Sequence, residues 1–293
     1  MPRLPKHLIC EYCGETFATH HIKQECCSQS CSAKLKAQRY RETNEKNKVT
    51  AWACGCGVES TAIAALIVLG AIPKPDYSYF VNSGFEKRRT LEHLHSHLIP
   101  ELKKAGVELH VIEPDSNRLI VNGRVIIPLF CKTNDGKDCK LPSRCGQWKV
   151  PHSKRWLRGQ GVTRCDCLIG ISTDESKRQR ESFSWWYQHR YPLIEMGISR
   201  RDCEDIIARI GWPDAPRTSC YLCPNQHNAD WQEMKDNYPD DFQKAIEAEA
   251  EVQHINSGFY LHQRCVPLND VDFTRQGQGS SSDIDRWFND SKP

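Results

Sequence analysis

Two kinds of apolar pattern alternate along the middle of the chain. Short, nearly continuous apolar runs predict buried strands, and runs with a period near 3.6 residues predict helices between them. The predicted strands are Val49–Ala53, Tyr77–Val81, Val107–Ile112 and Cys165–Ile171. The predicted helices are Ser60–Leu69 and Lys87–Ala105, the second interrupted at Pro100. This alternation predicts an α/β fold, a twisted parallel sheet with helices on both faces.

Composition divides the chain into three segments. Residues 1–46 are polar, basic and cysteine-rich, residues 47–215 carry the strand and helix pattern, and residues 216–293 are rich in Cys, Trp, Asp and His. We expect a small N-terminal domain, an α/β domain, and a Cys-containing C-terminal region that packs on the α/β domain.

Charge and hydropathy narrow the setting. The net charge of +3 does not by itself indicate a nucleic-acid partner. The first residues lack the apolar run of a signal peptide, and the longest apolar stretch, Thr61–Ile72, is shorter than the about 20 residues that span a bilayer. We therefore expect a cytoplasmic protein with no membrane partner.

Cysteine usage is the unusual part of the composition. We expect the 16 cysteines to be reduced thiols, because the cytosol disfavours disulfides. Three close pairs have the spacing of metal ligands: Cys10/Cys13, Cys27/Cys31 and Cys220/Cys223. Three others lie in apolar surroundings and are expected to be small buried hydrophobes: Cys131, Cys165 and Cys167.

The first predicted strand runs into a Gly-rich turn, Gly55–Thr61. Its glycines allow consecutive backbone N–H groups to surround an anion at the start of the following helix. The turn lacks the Gly-Lys-Ser/Thr ending of a Walker A loop and the third glycine of the dinucleotide fingerprint. By itself it is either an anion site or only a tight turn.

Six motifs in order resemble one family. The loop Gly-Cys-Gly-Val-Glu-Ser-Thr resembles that of PP-loop ATP pyrophosphatases, in the form of the phosphoadenosine-phosphosulfate (PAPS) reductase-like branch. The later motifs that resemble this branch are Val81–Glu86, Arg144–Lys149, Gly170–Arg178, Tyr191–Glu195 and Cys220–Pro224. The resemblance spans roughly residues 48–270 and implies an adenine nucleotide alpha hydrolase-like fold.

The resemblance implies that ATP is split between its α and β phosphates, so that a substrate oxygen is adenylated with the help of Mg²⁺. The residues expected to bind the nucleotide are Gly55, Cys56, Gly57, Val58, Ser60, Thr61, Asn82, Ser83, Gly84 and Glu86. The residues expected to be catalytic, as phosphate-binding cations or magnesium ligands, are Glu59, Lys149, Asp174, Glu175 and Arg178. Without the family context, Asp174–Arg178 would be only a helix start with a local ion pair.

Two positions depart from the family pattern. Cys56 replaces a loop glycine, and Asn82 replaces the usual acid. Binding of the nucleotide is therefore safer to predict than its turnover.

A second set of cysteines follows from the same resemblance. Cys145 belongs to one motif, Cys220 and Cys223 to another, and Cys203 precedes them. By analogy with the iron–sulfur protein of DNA phosphorothioation systems, we expect these four thiols to hold a [4Fe–4S] cluster. A second zinc ion is the alternative, and simple packing is a third.

The N-terminal segment resembles small treble-clef or ribbon zinc fingers. Cys10, Cys13, Cys27 and Cys31 have knuckle spacing, and Cys26 is a competitor for the place of Cys27. A helix is expected after Cys31, with basic side chains suited to phosphate: Lys34, Lys36, Arg39, Arg41, Lys46 and Lys48. The alternative is a solvated, charged linker.

Together these features predict an enzyme that uses ATP to adenylate a DNA or RNA target for sulfur transfer or another modification, with a sulfur-donor protein as partner. One alternative is a sulfonucleotide reductase, but the chain lacks the Glu-Cys-Gly-x-His ending that such enzymes use. Another is a catalytically silent nucleic-acid-binding protein.

Overall fold

The computed structural model of the protein describes residues 5–21, 24–113, 119–121, 124–132, 138–142 and 145–274, without the side chains at 44, 46, 121, 147 and 148. Arg144, the first residue of the motif Arg144–Lys149, lies outside the described residues. The strands are β1 (Lys6–Ile9), β2 (Thr16–Thr19), β3 (Val49–Ala53), β4 (Tyr77–Val81), β5 (Leu109–Ile112), β6 (Ile120–Val121), β7 (Arg124–Val125), β8 (Leu129–Lys132), β9 (Asp138–Leu141), β10 (Cys165–Ile169), β11 (Tyr187–Arg190) and β12 (Phe259–Tyr260).

The α-helices lie between and after these strands. They are α1 (Gln29–Lys46), α2 (Val58–Val68), α3 (Arg88–His93), α4 (Ile99–Lys104), α5 (Gly146–Gly159), α6 (Pro192–Glu195), α7 (Arg200–Arg209), α8 (Asn228–Asn237) and α9 (Pro239–Gln253). A π-helical turn (Leu94–Leu98) joins α3 to α4, and 3₁₀ segments cover Thr173–Arg178 and Leu268–Asp270.

The central sheet has five parallel strands in the order β11-β10-β3-β4-β5. The chain moves outward from β3 through β4 to β5, and later moves outward in the other direction from β10 to β11. The direction of winding therefore changes between β3 and β10. In open parallel sheets, ligands bind at such a switch point, beyond the carboxyl ends of the strands.

Helices cover both faces of this sheet, which confirms the predicted α/β class. Alternate strand residues point to opposite faces. Trp52 and Phe80 pack with α2, α4 and α7 on one face, whereas Tyr79 and Cys167 pack with Leu157 of α5 on the other. Helix α2 is apolar almost all round because it is enclosed between the sheet and its neighbouring helices.

The helix predicted over Lys87–Ala105 is interrupted, but before Pro100. The N–H of Ile99 bonds to the carbonyl of Leu94, five residues back, within the π-helical turn. Pro100 has no N–H, and its ring would clash with the carbonyl of Ser96 in a regular helix. The wider turn that precedes Pro100 relieves this conflict.

A second core joins the C-terminal part to an insertion after β5. Strand β12 pairs with β8, and β8 with β9, in an antiparallel sheet. Trp231, Phe242 and Phe273 pack there with Ile127 and Leu129. The predicted C-terminal region thus shares its core with part of the middle segment.

Cys131 is buried, as predicted, but the expectation that it is a reduced thiol is wrong. Cys131 and Cys139 face each other on β8 and β9 with their Cα atoms 4.9 Å apart, and they form a disulfide. Directly opposed residues on antiparallel strands can meet this distance requirement. Cys165 and Cys167 are free and fully buried, as predicted.

The N-terminal segment has the small size expected of a finger. Strands β1 and β2 form a hairpin, and α1 packs on it around Cys10, Cys26 and Leu35. Helix α1 begins at Gln29 rather than after Cys31, because the Ser28 side chain accepts a hydrogen bond from the Cys31 N–H at 3.1 Å and caps it. Within the described ranges, no helix is long and apolar enough to cross a membrane.

Candidate nucleotide cleft and thiol sites

A cleft of about 580 Å³ opens at the switch point of the sheet, where the loops after β3 and β10 meet. Its walls combine the Gly-rich loop, the 3₁₀ segment after β10, the start of α7 and the chain before Cys220. The residues that line it are Gly55, Gly57, Val58, Glu59, Ser60, Gly170, Glu175, Arg178, Arg200, Pro216, Arg217 and Thr218.

The Gly-rich loop turns directly into helix α2. Ser60 Oγ accepts a hydrogen bond from the Gly55 N–H at 2.8 Å, which closes the loop on itself. Gly57 is the N-cap residue and has no side chain to satisfy the first N–H groups of α2. The unpaired N–H groups and the positive end of the helix dipole therefore suit an anion in the cleft.

Two glycines are required by close packing around this loop. A Cβ atom on Gly57 would lie 2.8 Å from Thr218 Oγ1. A Cβ atom on Gly170, at the end of β10, would lie 3.1 Å from the backbone nitrogen of Ser60. The loop is thus held between the end of β10 and the segment that precedes Cys220.

Cys56 adopts a conformation that glycine prefers. Its φ is +59°, in the left-handed region, where a non-glycine residue costs about 1–2 kcal/mol. The side chain is fully buried, with its Sγ 3.7 Å from Cys54 Sγ. The Cys54 thiol and burial strongly raise the pKa of the Cys56 thiol, so this thiol is neutral. Cys56 does not line the cleft.

Three arginines supply positive charge to the cleft, and each is held by an acid. Arg178 pairs with Glu175 at 2.6 Å and Arg200 with Glu59 at 2.9 Å. Arg217 pairs with Asp230 at 3.3 Å. The guanidinium groups come from three separate segments and converge on the N-terminus of α2, an arrangement suited to several phosphate oxygens.

The predicted residues of the loop divide into two groups. Gly55, Gly57, Val58, Glu59 and Ser60 line the cleft, as do Glu175 and Arg178. Cys56 and Thr61 lie behind it, and Thr61 Oγ1 bonds to His93 Nε2 at 3.1 Å. Asp174 accepts a hydrogen bond from the backbone N–H of Arg200 at 2.5 Å, which fixes the start of α7.

A second set of polar side chains follows β4 and lies outside the lining of the cleft. Glu86, whose side chain is 3% exposed, accepts from Ser83 Oγ at 2.8 Å and from Lys149 Nζ at 2.7 Å. Burial opposes the charge of Lys149, but Glu86, together with Cys220 and Cys56, outweighs this effect and raises the pKa of the lysine. Asn82 donates to Glu113 at 3.0 Å.

The Asn82 side chain also closes the turn after β4. Its Oδ1 accepts from the Gly84 N–H at 2.9 Å, so the residue acts as a turn-forming side chain here. An acid would make the same turn bond. The replacement of the family's acid is therefore compatible with the local structure.

The cysteines predicted to form one cluster divide between two places. Cys203, on α7, is fully buried in the core of α2, and its charged neighbours are Glu59, Arg200 and Asp174. Cys220 and Cys223 lie beyond Glu86 and Lys149, and Cys145 interacts with Cys223. Cys223 thus interacts electrostatically with Cys145 and with Cys220, whereas Cys203 lies in the core around α2; among the described residues, only the finger cysteines form a close group of possible metal ligands. Burial raises the pKa of the Cys203 thiol to about 12.

Lysine side chains interact with two of these thiols, those of Cys220 and Cys223. Lys87 is 4% exposed, and burial lowers its pKa. Lys87 and Lys140 both act on Cys223, and Lys149 acts on Cys220. Burial nevertheless raises the pKa of the Cys220 thiol to about 12 and also raises that of Cys223, so the lysines offset the effect of burial only in part.

The finger cysteines form one compact group. The Sγ atoms of Cys10, Cys13, Cys27 and Cys31 all lie within 4.8 Å of one another, and those of Cys13 and Cys27 are 3.6 Å apart. Tetrahedral zinc with Zn–S bonds of about 2.3 Å requires sulfurs about 3.8 Å apart, so the group fits zinc. Backbone N–H groups, first that of Cys13, lower the pKa of Cys10 to about 6. Cys26 is buried next to this group but is not part of it.

Some of the basic side chains of α1 are engaged within the protein. Arg39 pairs with Glu11 at 2.6 Å and Glu25 at 2.9 Å, and Lys48, just after the helix, pairs with Glu45 at 2.9 Å. Lys36 and Arg41 are exposed. The basic surface predicted from the sequence is thus smaller in the folded protein.

Sequence reasoning missed five residues of the cleft: Gly170 as a contact, Arg200, Pro216, Arg217 and Thr218. Arg217 and Thr218 directly precede the Cys220 motif, which was the available signal. Arg200 follows the capping residue Ser199 at the start of α7, and only the fold brings that helix beside α2.

No protein-family model matches the chain, and no curated protein matches it. Among solved structures, the chain is similar to the U34-tRNA thiolase NcsA from Methanococcus maripaludis with its [4Fe–4S] cluster. The two are 13% identical, the match covers 84% of this chain and 87% of that one, and the TM-score is 0.36. At this TM-score the likeness carries no argument about fold or function, so the interpretation of the cleft depends on its own residues.

Proposed function

We propose that the cleft binds the phosphates of ATP and that the protein cleaves the α–β bond to adenylate a nucleic-acid substrate. An oxygen of the substrate attacks the α-phosphorus, and pyrophosphate leaves. A sulfur nucleophile from a donor protein then displaces AMP. The observation that carries the proposal is the convergence of Arg178, Arg200 and Arg217 on the Gly-rich N-terminus of α2.

The acids of the cleft give this proposal a binding step. Glu59 and Glu175 each neutralise an arginine in the absence of ligand. A polyphosphate offers the arginines stronger, multivalent partners and releases the carboxylates. Glu59 and Glu175 are then the side chains that would hold Mg²⁺, whose preferred ligands are oxygens.

The nucleic-acid part of the proposal is supported by the finger and its helix. A zinc ion on Cys10, Cys13, Cys27 and Cys31 would hold α1 on the hairpin, because a segment of this size rarely folds without metal. The exposed Lys36 and Arg41 on α1 offer contacts to phosphates.

A metal group at the three thiols would supply the sulfur chemistry. We propose that Cys145, Cys220 and Cys223 hold an iron–sulfur cluster, with zinc as the alternative. Lys87, Lys140 and Lys149 would offset the negative charge of such a group. Cys203 has no part in it.

A sulfonucleotide reductase is the less favoured candidate. It requires a reactive cysteine that reaches the nucleotide. Cys265, the last cysteine of the chain, is 4% exposed and lies near Asp138 and Lys132, on the second core rather than at the cleft.

The test is cleavage of ATP labelled at the α-phosphate by anaerobically purified protein, with and without tRNA, single-stranded DNA or duplex DNA. We expect AMP and pyrophosphate, released faster when one nucleic acid is present. Ser60→Ala removes the bond that closes the loop and should abolish cleavage, while the exposed Ser257→Ala should leave it unchanged. Cleavage that no nucleic acid stimulates would contradict the substrate class, and no cleavage at all would contradict the reaction.

A further inference from the structure

Three exposed aromatic side chains lie on α1 and on the loop before β11. Tyr40 on α1 is 53% exposed, and Phe183 and Trp185, on the loop before β11, are 110% and 38% exposed. The rings of Tyr40 and Trp185 are in edge contact, with centroids 5.7 Å apart. Phe183 is as exposed as it would be in an extended peptide. We call Tyr40, Phe183 and Trp185 the aromatic patch.

Cations lie against these rings and beside them. The guanidinium of Arg164 is 5.9 Å from the ring centroid of Trp185, and that of Arg158 is 3.9 Å from Trp186. The chain that leads to Phe183 reads Lys-Arg-Gln-Arg-Glu-Ser, and the three basic residues of this segment are exposed. Rings interleaved with cations are the composition of surfaces that stack unpaired bases and hold their phosphates.

The patch is continuous with the cleft along the chain. Arg178 lines the cleft, and Phe183 follows it by five residues. Since an extended chain covers about 3.3–3.6 Å per residue, the two lie at most about 18 Å apart. A nucleotide strand with one residue at the cleft could therefore reach the patch with a neighbouring base.

The finger contributes to the same surface. Tyr40 on α1 packs on Trp185, and Glu45 of the same helix accepts from Arg164 at 2.7 Å. The finger helix and the loop before β11 are thus in contact, and the exposed Lys177, Arg178 and Arg180 precede the rings of this loop along the chain. This charge distribution favours a polyanion over an apolar protein segment as the occupant.

We propose that the aromatic patch stacks unpaired bases of the nucleic-acid substrate next to the nucleotide being modified, with Phe183 as the main stacking residue. The enzyme then selects single-stranded or looped regions, because paired bases are already stacked on their neighbours and cannot cover an isolated ring. The inference rests on the proposed function for the identity of the substrate but not on the cleavage of ATP.

The test is the affinity of the full-length protein for a short labelled RNA or DNA single strand and for a duplex of the same sequence. Phe183→Ala should weaken single-strand binding about tenfold, since stacking on one aromatic ring contributes about 1–3 kcal/mol, and should change duplex binding little. Phe183→Trp should retain wild-type affinity. Ile255→Ala, which truncates an exposed apolar side chain after α9, is the matched control and should bind as wild type.

Single-strand affinity that Phe183→Ala leaves unchanged would overturn the inference, as would an equal loss for the duplex. The same variants are assayed for ATP binding without nucleic acid, which should be unaffected, because Phe183 is not part of the cleft. If wild-type protein never cleaves ATP but Phe183→Ala still loses single strands, the proposed reaction fails and the patch stands. If cleavage is stimulated by nucleic acid in both proteins alike, the patch fails alone.

Discussion

The guanidinium of Arg200 reaches the carboxylate of Glu59 at 2.9 Å and joins the first turn of α7 to the first turn of α2 across the cleft. The Glu59 side chain is 13% exposed, whereas that of Arg200 is 47% exposed. The acid is therefore fixed in the wall, and the arginine is the member of the pair that can turn toward a ligand.

Replacing Arg200 is expected to weaken ATP binding. Arg200→Ala removes a charge-assisted partner worth about 1.5–3 kcal/mol, which corresponds to an affinity loss of roughly 10- to 150-fold by titration calorimetry. The control is Arg201→Ala, since Arg201 is the next residue of α7, its side chain is 83% exposed, and it pairs with Asp205. An equal loss in both variants would show that general charge, not the position of Arg200, matters.

Glycine and alanine substitutions of Cys56 should show an order of stability opposite to the usual one. Glycine in place of alanine usually costs about 1 kcal/mol, but here φ is +59°, where alanine is strained and glycine is not. We expect Cys56→Gly to unfold at the same or a higher urea concentration than Cys56→Ala, although it leaves the larger cavity. Cys56→Ala proving clearly more stable would contradict the strain.

The variant Cys56→Gly also tests whether the Cys56 thiol is needed for ATP binding. Because Cys56 lies behind the loop and not in the cleft, Cys56→Gly should bind ATP as wild type does. Reduced binding in this variant would mean that the thiol holds the loop in its anion-binding shape.

The sequence could predict the sheet, its strands and the Gly-rich turn into α2 because these depend on local patterns. The buried runs that became β3, β4 and β10 are recognisable from hydrophobicity alone. The Gly-x-Gly spacing likewise indicates the turn that receives the N-terminus of α2. An interruption of the helix at Pro100 was also predicted, but its π-helical form and its position before the proline were not.

The cleft residues and cysteine partners that the sequence could not predict depend on long-range contacts. Arg200 and Thr218 reach the cleft only because α7 packs on α2 and because the chain before Cys220 crosses the Gly-rich loop. Cys203 precedes the Cys220 pair along the chain but belongs to a different core, and no pattern along the chain encodes that difference. The disulfide between Cys131 and Cys139 also depends on a long-range contact, because the register of β8 and β9 places the two residues opposite each other.

Two adjacent cysteines of the finger should respond differently to substitution. Cys27 belongs to the four-thiol group, whereas Cys26 packs beneath it with Leu35. We expect Cys27→Ser to lose the bound zinc, measured by mass spectrometry of metals, and Cys26→Ser to retain it. Retention by Cys27→Ser with loss by Cys26→Ser would mean that the register of the second pair is shifted by one residue.

His93 should make the protein sensitive to acid. Burial, with a smaller effect of His97, lowers the pKa of His93 from 6.5 to about 4. Below pH 6.5 the unfolded chain binds a proton that the folded protein does not accept until about pH 4, so the free energy of unfolding falls across this range as pH falls. The largest contribution of this one side chain is about 3 kcal/mol.

The measurement is urea unfolding at a series of pH values between 7 and 4, a range set by these two pKa values. His93→Gln can keep the bond to Thr61 and should show a shallower decline than wild type, with the remainder due in part to buried His262, whose pKa is also lowered to about 4. His95→Gln, an exposed substitution two residues away, should keep the wild-type slope. Because Thr61 is the last residue of the Gly-rich loop and lies in the first turns of α2, acid should also weaken ATP binding in wild type more than in His93→Gln. Identical slopes for His93→Gln and wild type would show that another group controls the acid response.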